Sequence, residues 1–195
     1  MSIKIPRWLR FNLRYLGQPP WDTGISPPEL MAFLDTSPPG RALDVGCGTG
    51  TNLVTMASYG WAVTGLDIAL LSVIKARGKL RQTGFKGQVQ CRNVGSRFRF
   101  GDSFDLVLDI GCYHSLRATE REAYRHNLRC WLKPGGAYLL YAHQQTSPTH
   151  PHGVVEADFT QFSRFLTLQW REDSDERRPD GGSGRSATWV RFTKE

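Results

Sequence analysis

The sequence predicts an α/β fold built on a mostly parallel sheet with helices on both faces, and three observations carry that prediction. Short β-rich runs alternate with stretches of helical length from Arg41 to Ala142, the pattern of strands joined by right-handed crossovers. The first run leads into a turn with glycine at alternate positions, Gly46-Cys47-Gly48-Thr49-Gly50. The second run ends on a carboxylate, Asp67, where the strand's carboxyl end of an open α/β sheet meets its ligand.

The 195 residues fit one domain, 1–195, and a 39% hydrophobic content supplies a core of ordinary size. Residues 3–16 mix Ile5, Trp8, Leu9, Leu13 and Leu16 with Lys4, Arg7, Arg10 and Arg14, which predicts an amphipathic helix after Pro6. Two readings of that helix are open: a lid whose apolar face packs on the domain, making residues 1–24 a cap, or a helix lying on a membrane surface. Ser26-Pro27-Pro28-Glu29 offers a capping serine, proline in the first turn and a glutamate three residues on, which predicts a helix over 27–34. Strands are then expected at 41–45, 62–66, 88–92, 104–110 and 137–142, and helices at 51–59, 70–81 and 119–131. The tail differs, with strand-like runs at 165–171 and 186–192 joined by the polar, glycine-rich 172–185, the pattern of a long edge hairpin.

No run approaches the roughly 18–20 apolar residues that span a bilayer, and arginines interrupt the apolar N-terminus. The four cysteines, Cys47, Cys91, Cys112 and Cys130, lack the tight spacings of a zinc site and are too few for a disulfide scaffold. A soluble cytoplasmic protein is expected, with no membrane span, as a monomer or weak homodimer. The net charge of +7 lies in blocks. Between Asp67 and Asp102 there is no acid, but there are eight cations: Lys75, Arg77, Lys79, Arg81, Lys86, Arg92, Arg97 and Arg99. Such a block is either the solvated face of a helix or a docking surface for nucleic acid or acidic lipid.

The glycine turn narrows the ligand. Glycine is needed where backbone turns sharply and approaches a ligand without a Cβ between. Asp67, twenty-one residues after Gly46, can accept hydrogen bonds from both hydroxyls of a ribose. A dinucleotide site would read G-x-G-x-x-G and face a pyrophosphate. This turn reads G-x-G-x-G with Asp44 two residues ahead, and a carboxylate so near suits a ligand carrying an ammonium group: S-adenosylmethionine.

Asp44–Gly50, Asp67, Asp105-Leu106-Val107-Leu108-Asp109 and Leu132-Lys133-Pro134-Gly135-Gly136 together resemble the class I methyltransferases over nearly the whole chain. The resemblance implies a Rossmann-like seven-stranded sheet with an antiparallel last strand. Pro20-Trp21-Asp22-Thr23-Gly24, the run Asp109–Leu116, Gly153-Val154 and Gly184–Trp189 are similar to the thiol, halide, thiopurine and tellurite methyltransferase group. Carried over by position, the resemblance implies that Trp21 covers the cofactor and that Gly46, Cys47, Gly48 and Gly50 form the turn around its methionine part. It sets Asp44 at the ammonium, Asp67 and Ile68 at the ribose, Asn93-Val94 at the adenine, and Asp109 with Gly111 beside the sulfonium end.

Methyl transfer from a sulfonium is an in-line displacement, for which a thiolate or halide needs almost no base. The polar candidates on the substrate side are His114 and Asp22, with Tyr15 and Tyr113 beside them; His114 could take a proton near neutral pH or serve as a hydrogen-bonded wall. Cys112 lacks the Pro-Cys context of covalent nucleic-acid methylation. His143, His150 and His152 lack a fourth ligand at a usual spacing, so no metal is expected. The expected function is therefore methyl transfer to a small soft nucleophile such as a thiol. The alternatives are an RNA methyltransferase using the basic 75–99 region and a cofactor-binding protein without turnover.

Overall fold

The computed structural model describes residues 5–147, 152–175 and 186–195. The element order is α1 (Arg7–Arg14), α2 (Pro28–Thr36), β1 (Arg41–Val45), α3 (Thr51–Ser58), β2 (Ala62–Asp67), α4 (Leu70–Gln82), β3 (Gly87–Cys91), β4 (Phe104–Ile110), a single 3₁₀ turn (Tyr113–Ser115), α5 (Ala118–Trp131), β5 (Leu132–His143), α6 (Glu156–Phe162), β6 (Thr167–Asp175) and β7 (Ser186–Thr193). The strands form a seven-stranded sheet in the order β3-β2-β1-β4-β5-β7-β6. Strands β1, β2 and β3 run parallel to one another, as do β4 and β5, and β7 is antiparallel to both β5 and β6. The Rossmann-like methyltransferase sheet with an antiparallel last strand is thus the fold observed. The chain divides into two compact units, 1–93 and 94–195.

In the first unit, β1 and β2 are buried along nearly their whole length: Val63 and Gly65 face Leu80 of α4 and Leu53 of α3, and alternation sends Leu43, Val45 and Leu66 to the opposite face, where they are buried as well. Continuous apolar strands are what a parallel sheet requires. Strand β3 closes the edge. Arg92 N donates to Asp67 O at 2.8 Å, so alternation turns Val89 C=O away from β2, and Arg77 Nε caps it at 2.9 Å. An edge carbonyl covered by a cation is a poor template for further strands.

The second unit is cored by aromatics. Tyr113, Tyr124, Trp131, Tyr138, Phe162 and Phe192 are all fully buried, with Tyr138 5.4 Å from Phe162 and Tyr113 4.9 Å from Phe162 between ring centroids. The Lys133-Pro134-Gly135-Gly136 turn loops out of the β4–β5 ladder, so that Phe104 pairs with Leu132 and Leu106 with Ala137. Lys194 Nζ then satisfies the terminal carbonyls of α5 at Arg129 and Leu132, 2.7 Å each.

Two local expectations change. Ser26 does not cap α2: its hydroxyl oxygen lies 2.8 Å from both Asn52 Oδ1 and Thr55 Oγ1 of α3, its single proton serving one of them, and α2 begins after Pro27 with no side-chain cap. Two prolines remove amides that a capping hydroxyl would accept from. Helix α1 does not pack by its apolar face: none of its residues is buried, and Ile5, Trp8, Leu13 and Leu16 are exposed. Its dock is polar. Asn12 Oδ1 accepts from Leu71 N at 3.0 Å, filling the first turn of α4, whose own N-cap residue, Ala69, has no capping side chain. Helix α6 and the 3₁₀ turn carry no periodic signal long enough to read from sequence. Lys4, His150, Gly184 and Arg185 lie outside the described residues. No helix among the described residues is long and apolar enough to cross a membrane.

Candidate active site

In the first unit the site grows from the end of β1. Gly46, Gly48 and Gly50 have φ of +76°, +53° and +85°, the left-handed region that L side chains avoid. The turn they make folds back onto β2, with Gly46 N and Cys47 N both donating to Leu66 O at 2.8 and 2.9 Å. Cys47 is buried with its sulfur against Gly65 and Leu53, where a Cβ on Gly65 would come within 2.8 Å of it; its thiol therefore points into the core. Asp44 is buried one strand residue before the turn.

Asp67 ties the turn to α4. Its Oδ2 accepts from Gly48 N at 3.0 Å and its Oδ1 from Ala69 N at 2.8 Å. Burial raises its pKa against the pull of those amides. A carboxylate has about four acceptor sites, and these two bonds take one on each oxygen.

The N-terminal segment closes on the same turn. Tyr15 is buried, and a Cβ on Gly48 would meet its hydroxyl at 3.1 Å. Trp21 Nε1 donates to that hydroxyl at 3.1 Å, and Arg14 lies 5.0 Å over the Trp21 ring. Burial and the Asp67 charge push the Tyr15 pKa far up. Asp22 Oδ1 accepts from Thr49 Oγ1 at 2.7 Å, and Lys79 Nζ donates to the same hydroxyl at 3.1 Å. Asp22 is thus a latch between the segment and the glycine turn. Lys75 Nζ holds the segment's end at Tyr15 O, 2.7 Å. Asn93 Oδ1, an acceptor suited to an adenine amino group, here accepts from Arg7 at 3.0 Å. Ile68 O receives the Cys91 thiol at 3.6 Å.

In the second unit, Asp109 sits at the carboxyl end of β4, fully buried. It accepts from Tyr124 Oη at 2.7 Å and Cys112 N at 2.8 Å, and Tyr113 N is 3.2 Å from its Oδ1. Burial outweighs these donors and pushes its pKa up to about 7. Asp109 therefore nucleates the 3₁₀ turn that carries His114. Gly111, at φ +85°, admits that turn, and a Cβ there would lie 3.4 Å from the His114 ring. Val94 O accepts from Asn127 at 3.2 Å.

His114 Nδ1 accepts from His143 N at 3.0 Å. The acceptor nitrogen carries no proton, so the neutral ring carries its proton on Nε2. A buried clamp fixes the backbone around it. Arg121 donates to Asp158 at 2.8 Å, to Gly153 O at 2.6 Å and to His114 O at 3.3 Å, while Tyr113 Oη donates to Asp158 at 2.8 Å and accepts from Arg125 at 2.7 Å. The sequence gives no sign of this clamp, because Arg121 and Asp158 are 37 residues apart. Asn12 is hidden for the same reason, lying 59 residues from the amide it caps.

Residues 42–136 match the family model described as "Methyltransferase domain". The chain is 34% identical over 153 residues to thiocyanate methyltransferase 1 of Arabidopsis thaliana, covering 75% of this chain and 66% of that protein. It is 30% identical over 107 residues to an uncharacterized methyltransferase of Schizosaccharomyces pombe, covering 55% of this chain and 74% of the relative. It is 28% identical over 139 residues to the ribosomal RNA small subunit methyltransferase C of Alcanivorax borkumensis, covering 67% of this chain. The chain spans only 42% of the length of that ribosomal RNA relative. The N-methyltransferase NodS from Bradyrhizobium japonicum, in complex with S-adenosyl-L-homocysteine, superposes with a TM-score of 0.80 at 17% identity over 96% of this chain and 97% of that one. The glycine turn, Asp67 and the sheet order find their common origin here: the chain belongs to the class I S-adenosylmethionine-dependent methyltransferases and is related to their thiol and thiocyanate members.

Proposed function

We propose that the protein transfers the methyl group of S-adenosylmethionine to a small, soft nucleophile of the thiol class. The observation that carries the cofactor part is the Asp67 carboxylate bridging Gly48 N and Ala69 N at the carboxyl end of β2. A turn with glycine at alternate positions and a buried acid at its rim fits a ligand that brings ribose hydroxyls to one end and an ammonium group to the other. S-adenosylmethionine supplies an electrophilic methyl on a sulfonium. In this reading Gly46, Gly48 and Gly50 admit its methionine part and Asp44 faces the ammonium. Asp67 accepts from the ribose with Ile68 beside it, and Asn93 and Val94 flank the adenine. Trp21, with the rest of 1–24, covers the turn as a lid of the single domain 1–195. Asp109 and Gly111 act by shaping the turn that presents His114.

The acceptor class rests on chemistry. A thiolate needs a held position and a dry site more than a base. His114, with its neutral proton on Nε2, is suited to donate a hydrogen bond to an anionic acceptor, and Asp22, tied to Thr49, is a latch ahead of a base. The likeness to thiocyanate methyltransferase 1 supports the same choice. The ribosomal RNA relative favours a second reading, methyl transfer to RNA.

The test is conversion of S-adenosylmethionine to S-adenosylhomocysteine by the purified chain against small thiols, thiopurines, thiocyanate, halides and tellurite, with total RNA as the contrasting acceptor. Turnover with a soft small molecule is expected. Methyl label entering RNA alone would replace this reading with the second one, and cofactor binding without any turnover would leave a binding protein.

A further inference from the structure

Among the described residues, eight of the eleven exposed large apolar side chains belong to the stretch from Ile5 to Ile74; Trp8 and Leu13 lie on α1, with Ile5 and Leu16 immediately before and after it. Leu16 is 72%, Ile5 53%, Trp8 52% and Leu13 50% exposed. Leu9 and Leu13 stand four residues apart on one side of α1, Ile5 precedes the helix and Leu16 follows it, while Arg7, Arg10 and Arg14 share the neighbouring side. The helix is held to the protein by other positions, Asn12 on Leu71 N and Tyr15 on the glycine turn. Trp8 and Leu13 of α1, with Ile5 and Leu16 at its two ends, are left uncovered. Leu70 and Ile74 of α4 are also exposed, and Leu71 between them is the residue that α1 caps, so they extend the apolar surface.

The charge around this surface has one sign. There is no acid before Asp22 and none between Asp67 and Asp102. Exposed Leu and Ile gain nothing from a phosphate backbone, which is recognised by cations and stacked aromatics. A bilayer rewards both features: leucine, isoleucine and tryptophan enter the headgroup–acyl boundary while arginines snorkel to anionic headgroups.

We propose that α1 is an interfacial anchor that docks this protein on anionic phospholipid surfaces, with Leu13 and Leu16 entering the boundary and Arg10 and Arg14 meeting the headgroups. The docking is reversible, because one short helix buries little apolar area. It brings the lid segment, and with it Tyr15 and Trp21, to the membrane plane.

The experiment is co-sedimentation of the full chain with phosphatidylcholine vesicles, with and without phosphatidylglycerol. Binding is expected with the anionic vesicles only and should weaken as salt rises. The double variant Leu13→Glu/Leu16→Glu should bind them at least about tenfold more weakly, and Arg10→Glu, which removes no apolar side chain, should weaken binding in the same direction. Thermal unfolding of each variant separates lost docking from lost fold. Failure of the parent chain to sediment, or equal sedimentation of the parent and Arg10→Glu, would overturn the proposal. So would retention on RNA without vesicle binding, or a concentration-dependent dimer that Leu13→Glu/Leu16→Glu abolishes while vesicles go unbound. None of these outcomes depends on methyl transfer.

Discussion

Replacing Asp109 by asparagine isolates the cost of holding an acid inside the second unit. Its carboxyl is fully buried, and burial lifts its pKa from an ordinary 3.8 to about 7 despite donors from Tyr124, Cys112 and Tyr113. Between those values the folded chain keeps a proton that the unfolded chain has released. Stability therefore falls as pH rises from about 4 to about 7 and is level above that window. At about 1.4 kcal/mol for each pH unit of that window, the loss comes to about 4 kcal/mol. Asparagine keeps an oxygen for the amides of Cys112 and Tyr113, and its NH₂ can donate to Tyr124 Oη, which already lies 3.2 Å from Tyr138 Oη and can donate onward. It never ionises. Urea unfolding of both proteins without added cofactor should give converging stabilities near pH 4.5. By pH 8 the difference should move in favour of Asp109→Asn by about 3–4 kcal/mol. Curves that stay parallel to within about 1 kcal/mol across that range would refute the reasoning, because they would mean that the native carboxylate is ionised and satisfied.

Other positions make sharper demands on the site. Asp67→Ala should weaken S-adenosylmethionine binding by the worth of two charge-assisted hydrogen bonds, about 2–4 kcal/mol, in calorimetric titration; unchanged affinity would remove Asp67 from the ribose. Gly48→Ala forces a side chain into φ +53° and sets its Cβ 3.1 Å from Tyr15 Oη, so it should cost about 1–2 kcal/mol of stability from the backbone alone. Tyr15→Phe in the same chain should recover part of any excess; an additive pair would show that the two residues do not meet. Arg121→Ala leaves Asp158 buried without its main partner, and breaking such a pair costs about 3–5 kcal/mol. A loss below about 1 kcal/mol in urea unfolding would show that the clamp around His114 is not rigid.

The strands from Arg41 to Ala142 are legible because short β-rich runs alternate there with stretches of helical length, a signal that needs no knowledge of neighbours. The glycine turn and Asp67 are legible because their chemistry is local: a strand, a turn and the next strand's last residue. What was hidden has a common cause. Periodicity says which residues of α1 share a face, and not what that face meets, so the choice between a packed lid and a helix on a membrane surface stays open in the sequence, and Asn12 and Tyr15, which make the dock, go unread. The Ser26 cap follows a sound local rule, yet its hydroxyl finds Asn52 and Thr55 in α3 because prolines at 27 and 28 withdraw the competing amides. The tautomer of His114 is hidden in the same way, because only the position of His143 N fixes which ring nitrogen carries the proton.

The basic block shows how a count of charges differs from a surface. Lys75, Arg77 and Lys79 stand two residues apart on α4, and each such step turns about 200° around a helix. Lys75 and Lys79 therefore share a face, and Arg77 takes the opposite flank. Lys75 holds Tyr15 O and Gly17 O, Lys79 holds Thr49 and Thr51 of the glycine turn and α3, and Arg77 covers the β3 edge at Val89 O. Arg97 pairs with Glu122 at 3.0 Å. Half of the eight cations that make the block look like a nucleic-acid footprint are thus engaged inside the chain. The three on α4 fasten the pieces nearest the proposed cofactor site: the lid segment, the glycine turn and the sheet edge. Releasing any one of them to a phosphate would cost an internal hydrogen bond made to a cation, about 1.5–3 kcal/mol. Helix α4, although it carries four of the eight cations, is accordingly a poorer anion platform than α1, where Arg10 and Arg14 stand beside the uncovered Leu13 and Leu16.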